Sequence, residues 1–276
     1  MQRNGVPYII GFCVAVCLVC AIIVSSSAVG LKERQETNKL LDRQKKVLTV
    51  AGLLQEGESV SAEKIQSMFT KRIKSVIIDL KSGKENAEAT QNAASFDQRK
   101  AQKDPSSSIS APKNRAGVRR IPNQAMVYQV SQNEMATDGA GFELAQYIFP
   151  VEGYGLWSTL YGFLAVAPDG NTVKGITFYE HGETPGLGGE VDNPSWKSKW
   201  PGRMVFGPAG SSVDSWGEAK IKVKKGYAGS PAEDPYQVDG LSGATITANG
   251  VTYLVRFWMG ENGFGPYIRN ALGQAG

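Results

Sequence analysis

The chain opens on a long apolar run, with no charged residue between Arg3 and Lys32. Its central part, from Val6 to about Val29, is long enough to cross a bilayer as a helix, for which roughly 20 apolar residues suffice. A cleaved signal peptide is the best alternative, with Ser-Ser-Ala at residues 26–28 as its cleavage site. The length of the run favours a retained anchor over residues 1–30.

Charged and apolar positions then recur at helical spacing from about Arg34 to Leu54. This pattern predicts that residues 31–60 form a helical connection between the anchor and a folded domain. Ser61 is typical of a helix N-cap, and apolar residues at helical spacing follow it as far as Ile73. The β-rich run from Ser75 to Leu80 is predicted to be a strand.

Residues 85–122 are rich in Ala, Asn, Gln, Lys and Ser and contain few large apolar groups. A segment of this composition cannot bury much surface. It is predicted to be an irregular, exposed and mobile excursion that carries no chemistry.

From Ala125 onward the pattern is that of a folded domain, and Pro-Asp-Gly-Asn at residues 168–171 predicts a hairpin turn. Residues 190–199 suit a short helix, the alternating run at 220–224 suits a strand, and Thr247–Met259 suits the last helix. The remaining strand candidates are Ala125–Val130, Glu143–Phe149, Gly162–Val166 and Thr172–Tyr179. We therefore expect residues 61–276 to form an α+β domain, an antiparallel sheet flanked by helices.

Charge and cysteine content narrow the function classes. The net charge of +4 is spread along the chain, so nucleic-acid binding is not indicated. All three cysteines, Cys13, Cys17 and Cys20, lie within the apolar run at a spacing that places them on one helical face. Metal or iron–sulfur ligation is one interpretation, and contact between membrane helices through small apolar residues is the other. Beyond residue 20 there is no cysteine, and hence no disulfide framework.

Residues 239–247 read Asp-Gly-Leu-Ser-Gly-Ala-Thr-Ile-Thr, a loop of small residues with three hydroxyl groups, set before a helix. The hydroxyls of Ser242, Thr245 and Thr247 can form hydrogen bonds or act as a nucleophile, and the small Gly243 and Ala244 allow a ligand to approach the backbone. A helix N-terminus beside them favours a phosphate group. From spacing alone, an ordinary turn with a helix N-cap remains the alternative.

Two further stretches have the composition of ligand-binding loops. Residues 153–158 (Gly-Tyr-Gly-Leu-Trp-Ser) place aromatic side chains beside two glycines, although a core tryptophan on a tight turn gives the same pattern. Residues 182–189 contain four glycines, more than a simple turn needs. His181, the single histidine of the chain, precedes them and is either a general base or a polar surface residue.

Three motifs in this order make the chain similar to a known family. Residues 154–158 (Tyr-Gly-Leu-Trp-Ser), 181–190 (His-Gly-Glu-Thr-Pro-Gly-Leu-Gly-Gly-Glu) and 239–245 (Asp-Gly-Leu-Ser-Gly-Ala-Thr) resemble the C subunits of sodium-translocating NADH:quinone oxidoreductases. The resemblance implies a membrane-anchored flavoprotein subunit that carries covalent FMN and relays electrons within the complex. The G subunits of Rnf-type ferredoxin:NAD complexes share the last motif, but the likeness upstream favours the sodium pump.

The resemblance also implies the site. A flavin transferase would attach FMN, taken from FAD, to Thr245 through a phosphoester, with Thr247 as the competing acceptor. No residue is expected to be catalytic and no metal is expected. The other residues expected to bind the flavin are Ser242, Gly243, Ala244, Trp157, Glu183, Thr184, Leu187 and Gly188. Partners would be the other membrane and peripheral subunits of the complex, and the flavin transferase during maturation.

Orientation in the membrane is predicted differently by charge and by family. Six basic residues follow the apolar run, which by the positive-inside rule would place the large domain in the cytoplasm. They are Lys32, Arg34, Lys39, Arg43, Lys45 and Lys46. The resemblance implies a single-pass protein of the bacterial inner membrane with a periplasmic domain, and long domains translocate largely regardless of charge.

Other function classes are also compatible with parts of the sequence. Residues 240–244 nearly form the G-x-S-x-G motif of serine hydrolases, with Ser242 as nucleophile and His181 as its base, but the final glycine is missing. A membrane-anchored assembly factor is a third hypothesis, which leaves the glycine-dense loop without a purpose. Because the chain has no dinucleotide-binding fingerprint, NADH would have to be oxidised by a different subunit.

Overall fold

The structure of the protein is a computed structural model that describes residues 5–136 and 139–273. It forms two compact units, of which the first ends at Arg43 and the second begins at Gln44. The helices are α1 (Val6–Val50), α2 (Ala62–Arg72), α3 (Ala87–Gln91), α4 (Gln98–Lys103), α5 (Pro194–Lys197), α6 (Thr245–Met259) and α7 (Gly265–Gly273). The strands are β1 (Ile73–Asp79), β2 (Lys84–Glu85), β3 (Ser108–Ser110), β4 (Arg120–Pro122), β5 (Gln124–Ser131), β6 (Leu144–Tyr154), β7 (Thr159–Val166), β8 (Val173–Glu180), β9 (Lys222–Val223) and β10 (Gln237–Val238).

Helix α1 joins the predicted anchor and the predicted connection into one continuous element of 45 residues. Among the described helices it alone is long and apolar enough to cross a membrane, with a mean hydropathy of 2.8 over its most apolar window. Its last turns are different, since Val47, Leu48 and Val50 are buried in the second unit. The folded unit therefore begins earlier than the predicted boundary at residue 61. Arg3 lies outside the described residues.

The second unit is built on a six-stranded antiparallel sheet in the order β2-β1-β5-β6-β7-β8. Ser61 caps α2, as predicted, by accepting a hydrogen bond from the backbone N–H of Lys64 at 3.4 Å. The predicted hairpin at residues 168–171 joins β7 to β8, with Gly170 at a φ of +68°. The α+β class with a mainly antiparallel sheet is thus confirmed.

The core lies between the sheet and α6, whose apolar face carries Val251, Leu254, Val255 and Trp258. The Trp258 indole Nε1–H donates to the carbonyl of Glu152 on β6 at 2.7 Å. A Cβ on Gly250 would stand 2.5 Å from the carbonyl oxygen of Tyr154, so only glycine allows α6 this close to the end of β6. These contacts set the height of the N-terminus of α6 above the sheet edge.

Residues 85–122 differ from the prediction of an irregular, exposed excursion. They contain α3, α4, β3 and β4, and they bury Ala116, Val118 and Ile121 in the core. Gln102, 9% exposed, donates to the carbonyl of Arg120 and to the Glu152 carboxylate. The composition missed this order because a few small and medium apolar residues, together with polar side chains such as Gln102, are enough to hold the segment to the sheet.

Two shorter predictions are corrected in extent. The alternating run at 220–224 forms a strand only at Lys222–Val223, because its partner β10 offers just two residues, in parallel pairing. The last helix starts at Thr245, two residues before the predicted start, with Ala244 as its N-cap. The second difference matters for the site, because it places Thr245 at the first helical position.

Candidate functional site

The three sequence motifs meet around the carboxylate of Glu183. This side chain is 5% exposed, and it accepts hydrogen bonds from the backbone N–H groups of residues 156–158 at 2.9–3.2 Å. It also accepts a hydrogen bond from the hydroxyl of Thr247, at 2.6 Å between Oγ1 and Oε2. One carboxylate thereby connects the aromatic turn (residues 153–158), the glycine-dense loop (residues 182–189) and the first turn of α6.

The Glu183 carboxylate is held in its charged form. Burial acts to raise its pKa, but the hydrogen bonds from Thr247 and from the N–H groups of the aromatic turn outweigh burial and hold the pKa below the usual 4.5. With both oxygens occupied within the protein, Glu183 does not present its carboxylate to a ligand. Glu183 therefore lies beneath the loops of residues 153–158 and 182–189 and holds them together, instead of facing the predicted flavin site.

Glycines let the loops approach this carboxylate closely. A Cβ on Gly188 would stand 2.6 Å from Thr247 Oγ1 and 2.7 Å from a Glu183 oxygen, and a Cβ on Gly155 would stand 2.7 Å from the other oxygen. Gly188 is buried, so it closes the loop over Glu183. The predicted binding residue Thr184 is exposed, and its carbonyl accepts from the N–H groups of residues 187 and 189 at 3.1 and 2.9 Å, which shapes the loop.

The two candidate acceptor threonines lie in different environments. Thr245 is exposed at the first position of α6, whereas Thr247 is fully enclosed and its hydroxyl donates to Glu183. Ala244, the N-cap residue, has no side-chain acceptor for the first N–H groups of the helix. These N–H groups and the positive end of a 15-residue helix therefore lie beside the Thr245 hydroxyl.

Large apolar side chains are exposed around Thr245. Trp157 is 66% exposed, Leu187 45% and Ile246 57%, and Tyr154 and Leu156 are also exposed. The loops touch here, because a Cβ on Gly243 would stand 2.9 Å from Leu187 Cδ2. Such side chains offer flat apolar walls to a ligand. Ser242 and Gly243 are exposed beside them, and Ala244 is buried beneath.

Asp239 is the first residue of the loop at 239–247 and anchors it to the residues on the side away from Glu183. Its Oδ1 accepts a hydrogen bond from the backbone N–H of Ala228 at 2.8 Å, and its carbonyl accepts from the Trp196 indole at 2.8 Å. The role of Glu183 as a central acceptor was missed, since only its proximity in space to Thr247 and residues 156–158 reveals it.

His181 is occupied within the protein at both ring nitrogens. Its Nδ1 accepts the backbone N–H of Glu183 at 3.2 Å, so Nε2 carries the proton and donates to Asp192 Oδ2 at 2.9 Å. The pair supports the start of the glycine-dense loop. Neither nitrogen is free to act as base toward Ser242, as the hydrolase hypothesis requires.

Comparisons with known proteins point to one family. A sequence model of the FMN-binding domain family matches residues 155–260, which contain the second and third motifs and all of the first except Tyr154. The C subunit of the Na(+)-translocating NADH-quinone reductase of Yersinia pestis is 45% identical over 258 residues, 93% of this chain and 89% of the relative. The corresponding protein of Vibrio campbellii is 44% identical, over 97% of this chain and 95% of the relative.

Solved structures agree with the sequence relatives. The crystal structure of Shewanella oneidensis NqrC matches with a TM-score of 0.71 and 33% identity, over 86% of this chain and 99% of that chain. The similarity therefore includes both the folded unit and most of the length of the relatives. The chain belongs to the family of C subunits of the Na(+)-translocating NADH-quinone reductase.

Proposed function

We propose that this protein is the flavoprotein C subunit of a sodium-translocating NADH:quinone reductase and that it relays electrons through FMN carried on Thr245 as a phosphoester. Family membership and the FMN-binding domain over residues 155–260 support the flavoprotein assignment. The single observation that carries the attachment is the contrast between an exposed Thr245 and an enclosed Thr247. The isolated chain is then an electron carrier, and the reductase activity belongs to the complex.

The residues around Thr245 fit FMN. The uncapped N–H groups and positive end of α6 suit the single negative charge of a phosphodiester. The exposed side chains of Trp157 and Leu187 suit the apolar ring system, and Ser242 and Gly243 leave room beside the acceptor oxygen. When bound, FMN supplies a redox group that accepts and releases electrons singly or in pairs. Thr184 and Gly188 shape the loop that carries Leu187.

Attachment requires a second enzyme, because FMN must come from an activated donor. A flavin transferase would bring FAD to Thr245, whose Oγ attacks the phosphorus on the riboflavin side of the pyrophosphate. A P–O bond to threonine forms, the P–O bond to the AMP phosphate breaks, and AMP leaves while the hydroxyl proton passes to a base of the transferase. Thr245 is exposed, as this step requires, and the enclosed Thr247 is not.

We place the large domain on the periplasmic side of the bacterial inner membrane, anchored by the apolar part of α1. The length and hydropathy of this helix support a single-pass anchor, and family membership supports this orientation against the basic residues that follow the span. Because the folded unit contains no cysteine, Ser106→Cys supplies a single reporter there. A membrane-impermeant maleimide should label the cysteine introduced at position 106 in intact spheroplasts. Labelling only after lysis would show that the domain lies in the cytoplasm.

Two other functions are not favoured. The Rnf-type G subunit is disfavoured because the relatives that match over nearly the whole chain are NADH-quinone reductase C subunits. A serine hydrolase is disfavoured because both ring nitrogens of His181, the one histidine available as a base, are engaged by Asp192 and the Glu183 backbone.

Flavin fluorescence of the chain on a denaturing gel tests the proposal, after co-expression with a flavin transferase. The wild type, Thr247→Val and Thr245→Ser should fluoresce, because each keeps an exposed hydroxyl at position 245, whereas Thr245→Ala should be dark. Thr247→Val is the matched control, since it removes the other hydroxyl and keeps the side-chain shape. A dark wild type beside an active transferase would refute flavinylation, and a fluorescent Thr245→Ala would move the acceptor.

A further inference from the structure

A basic cleft lies beside the flavin-bearing end of α6. Its volume is about 750 Å³, and it is bounded by the loop of residues 111–119, by the end of β6 and by one face of α6. The helix contributes Ile246, Asn249, Gly250 and Tyr253, which recur at the i, i+3, i+4 and i+7 spacing of a single face. Thr245 directly precedes the first of these residues. The cleft and the proposed flavin site thus share the first two turns of one helix.

The loop of residues 111–119, which forms one side of the cleft, is held in place by hydrogen bonds. The Asn114 side chain donates to the carbonyls of Pro112 and Val118 and accepts from the N–H of Val118, all at 2.8–3.1 Å. The carbonyl of Ala116 accepts the backbone N–H of Tyr154 at 2.7 Å, which fixes the loop to β6. A surface that is ordered before contact loses little conformational freedom when a partner binds.

The charge of the cleft is one-sided. Lys113, Arg115 and Arg119 line it and are exposed, and no described lining residue is acidic. None of the three forms an ion pair with a carboxylate in residues 5–136 or 139–273. Three unpaired positive charges stand here in a chain whose net charge is only +4. The Arg115 guanidinium stacks over the Tyr253 ring at 4.6 Å, which leaves its edge free for an anion.

We propose that the cleft receives an acidic segment of another subunit of the same complex, with carboxylates toward Lys113, Arg115 and Arg119 and an apolar residue toward Ile246 and Tyr253. This inference rests on the proposed function, since it takes the chain to be a subunit that exchanges electrons. Charge complementarity selects the partner and its orientation more than it adds affinity. Tyr253 is eight positions after Thr245, so a segment in the cleft lies within about 12 Å of the proposed flavin-bearing residue along the helix.

The test compares two triple charge reversals in the complete complex, co-expressed with a flavin transferase and purified in detergent through a tag on another subunit. The cleft variant is K113E/R115E/R119E. The matched control, K64E/K81E/K199E, has the same charge change at exposed lysines that do not line the cleft. Retention of the chain in the complex is measured between about 0.05 and 0.5 M salt, and flavin fluorescence per chain is measured on the same samples.

We expect the cleft variant to be retained on the order of ten-fold less than the wild type and the control at low salt, with flavin fluorescence per chain unchanged. Equal retention of the cleft variant and the control would overturn the proposal. A cleft variant without flavin, beside a fluorescent control, would also overturn it and assign the cleft to docking of the transferase. A dark wild type would instead refute the proposed flavin attachment, and the retention comparison would still decide the docking surface.

Discussion

The hydrogen bonds to Glu183 make a sharp prediction for Glu183→Gln. The carboxylate joins three backbone N–H groups of residues 156–158 to the Thr247 hydroxyl, in a site where it is 5% exposed. Glutamine has the same shape, and its amide oxygen can still accept the backbone N–H groups while its NH₂ donates to Thr247 Oγ1. The substitution therefore removes the negative charge and one acceptor oxygen without creating a cavity.

The size of the destabilisation follows from the free energy that these hydrogen bonds lose when their acceptor becomes neutral. A hydrogen bond to a charged acceptor contributes about 1.5–3 kcal/mol, and a neutral one about 0.5–1.5 kcal/mol. Three backbone N–H groups lose about 1 kcal/mol each, and the lower desolvation cost of a neutral amide offsets part of that sum. We expect Glu183→Gln to lower the free energy of unfolding by about 2–3 kcal/mol, which lowers Tm by about 4–12 °C in a unit of this size.

Urea unfolding of the full chain in detergent, followed by tryptophan fluorescence, measures this difference in the free energy of unfolding. The substitution Glu218→Gln, at an exposed position, is the matched control.

The pH dependence of the stability provides a second test. The pKa of Glu183 is below 4.5 in the folded protein, so its stabilisation is complete above that value and is lost as pH falls through the lower folded-state pKa. The difference in the free energy of unfolding between wild type and Glu183→Gln should therefore narrow as pH falls below the ordinary pKa of 4.5. A variant within about 0.5 kcal/mol of Glu218→Gln at neutral pH would refute the reasoning.

Three further substitutions test other parts of the fold. Gly188→Ala should reduce both stability and flavin yield, measured by urea unfolding and gel fluorescence, because the added Cβ meets Thr247 Oγ1 at 2.6 Å. Asn171→Ala should lower the free energy of unfolding by about 2–3 kcal/mol in the same assay, since this side chain, 2% exposed, bonds two backbone groups of the segment between α5 and β9. Burial raises the pKa of Glu152, so its charge opposes folding at neutral pH and less so as pH falls. Glu152→Gln should then stabilise at pH 7 more than at pH 4, and equal effects at both would contradict this.

The sequence predicted the fold well where hydrophobic patterning carries the information. Strands β5, β7 and β8 and the hairpin at residues 168–171 are close to their predicted positions, because alternation and turn chemistry are local signals. Strand β6 begins as predicted but runs to Tyr154, five residues beyond its predicted end at Phe149. For residues 85–122 the prediction of an irregular segment was wrong, and the reason is physical. Their order depends on contacts distant in sequence, such as Gln102 with Glu152 and Ala116 with Tyr154, which no local pattern records.

The predicted site separates into two groups of residues in the structure. Thr245, Trp157 and Leu187 are all exposed, as residues that contact a flavin must be, and they came from motif resemblance. Glu183 and Gly188 are instead enclosed beneath the loops, where they hold the exposed residues in place. The motif identified both groups without distinguishing them, because sequence adjacency does not show which way a side chain points in an irregular loop.

On the proposed function, the acceptor threonine would have to satisfy two requirements that conflict. A transferase must reach its hydroxyl, yet an electron carrier needs its redox group held in one position. If Thr245 is the acceptor, the chain would meet both with two threonines on one helical turn. Thr245 is exposed at the first helical position, and the Thr247 hydroxyl, two residues later, donates to Glu183 at 2.6 Å. The backbone that carries Thr245 is thereby fixed, while within residues 5–136 and 139–273 no hydrogen bond involves the Thr245 side chain. It follows that loosening Thr247 should broaden the orientation of an attached flavin while leaving its attachment intact. Flavin fluorescence anisotropy of Thr247→Val, lower than that of the wild type at equal flavin content, would show this separation, and unchanged anisotropy would place the control of orientation in the Trp157 and Leu187 walls instead.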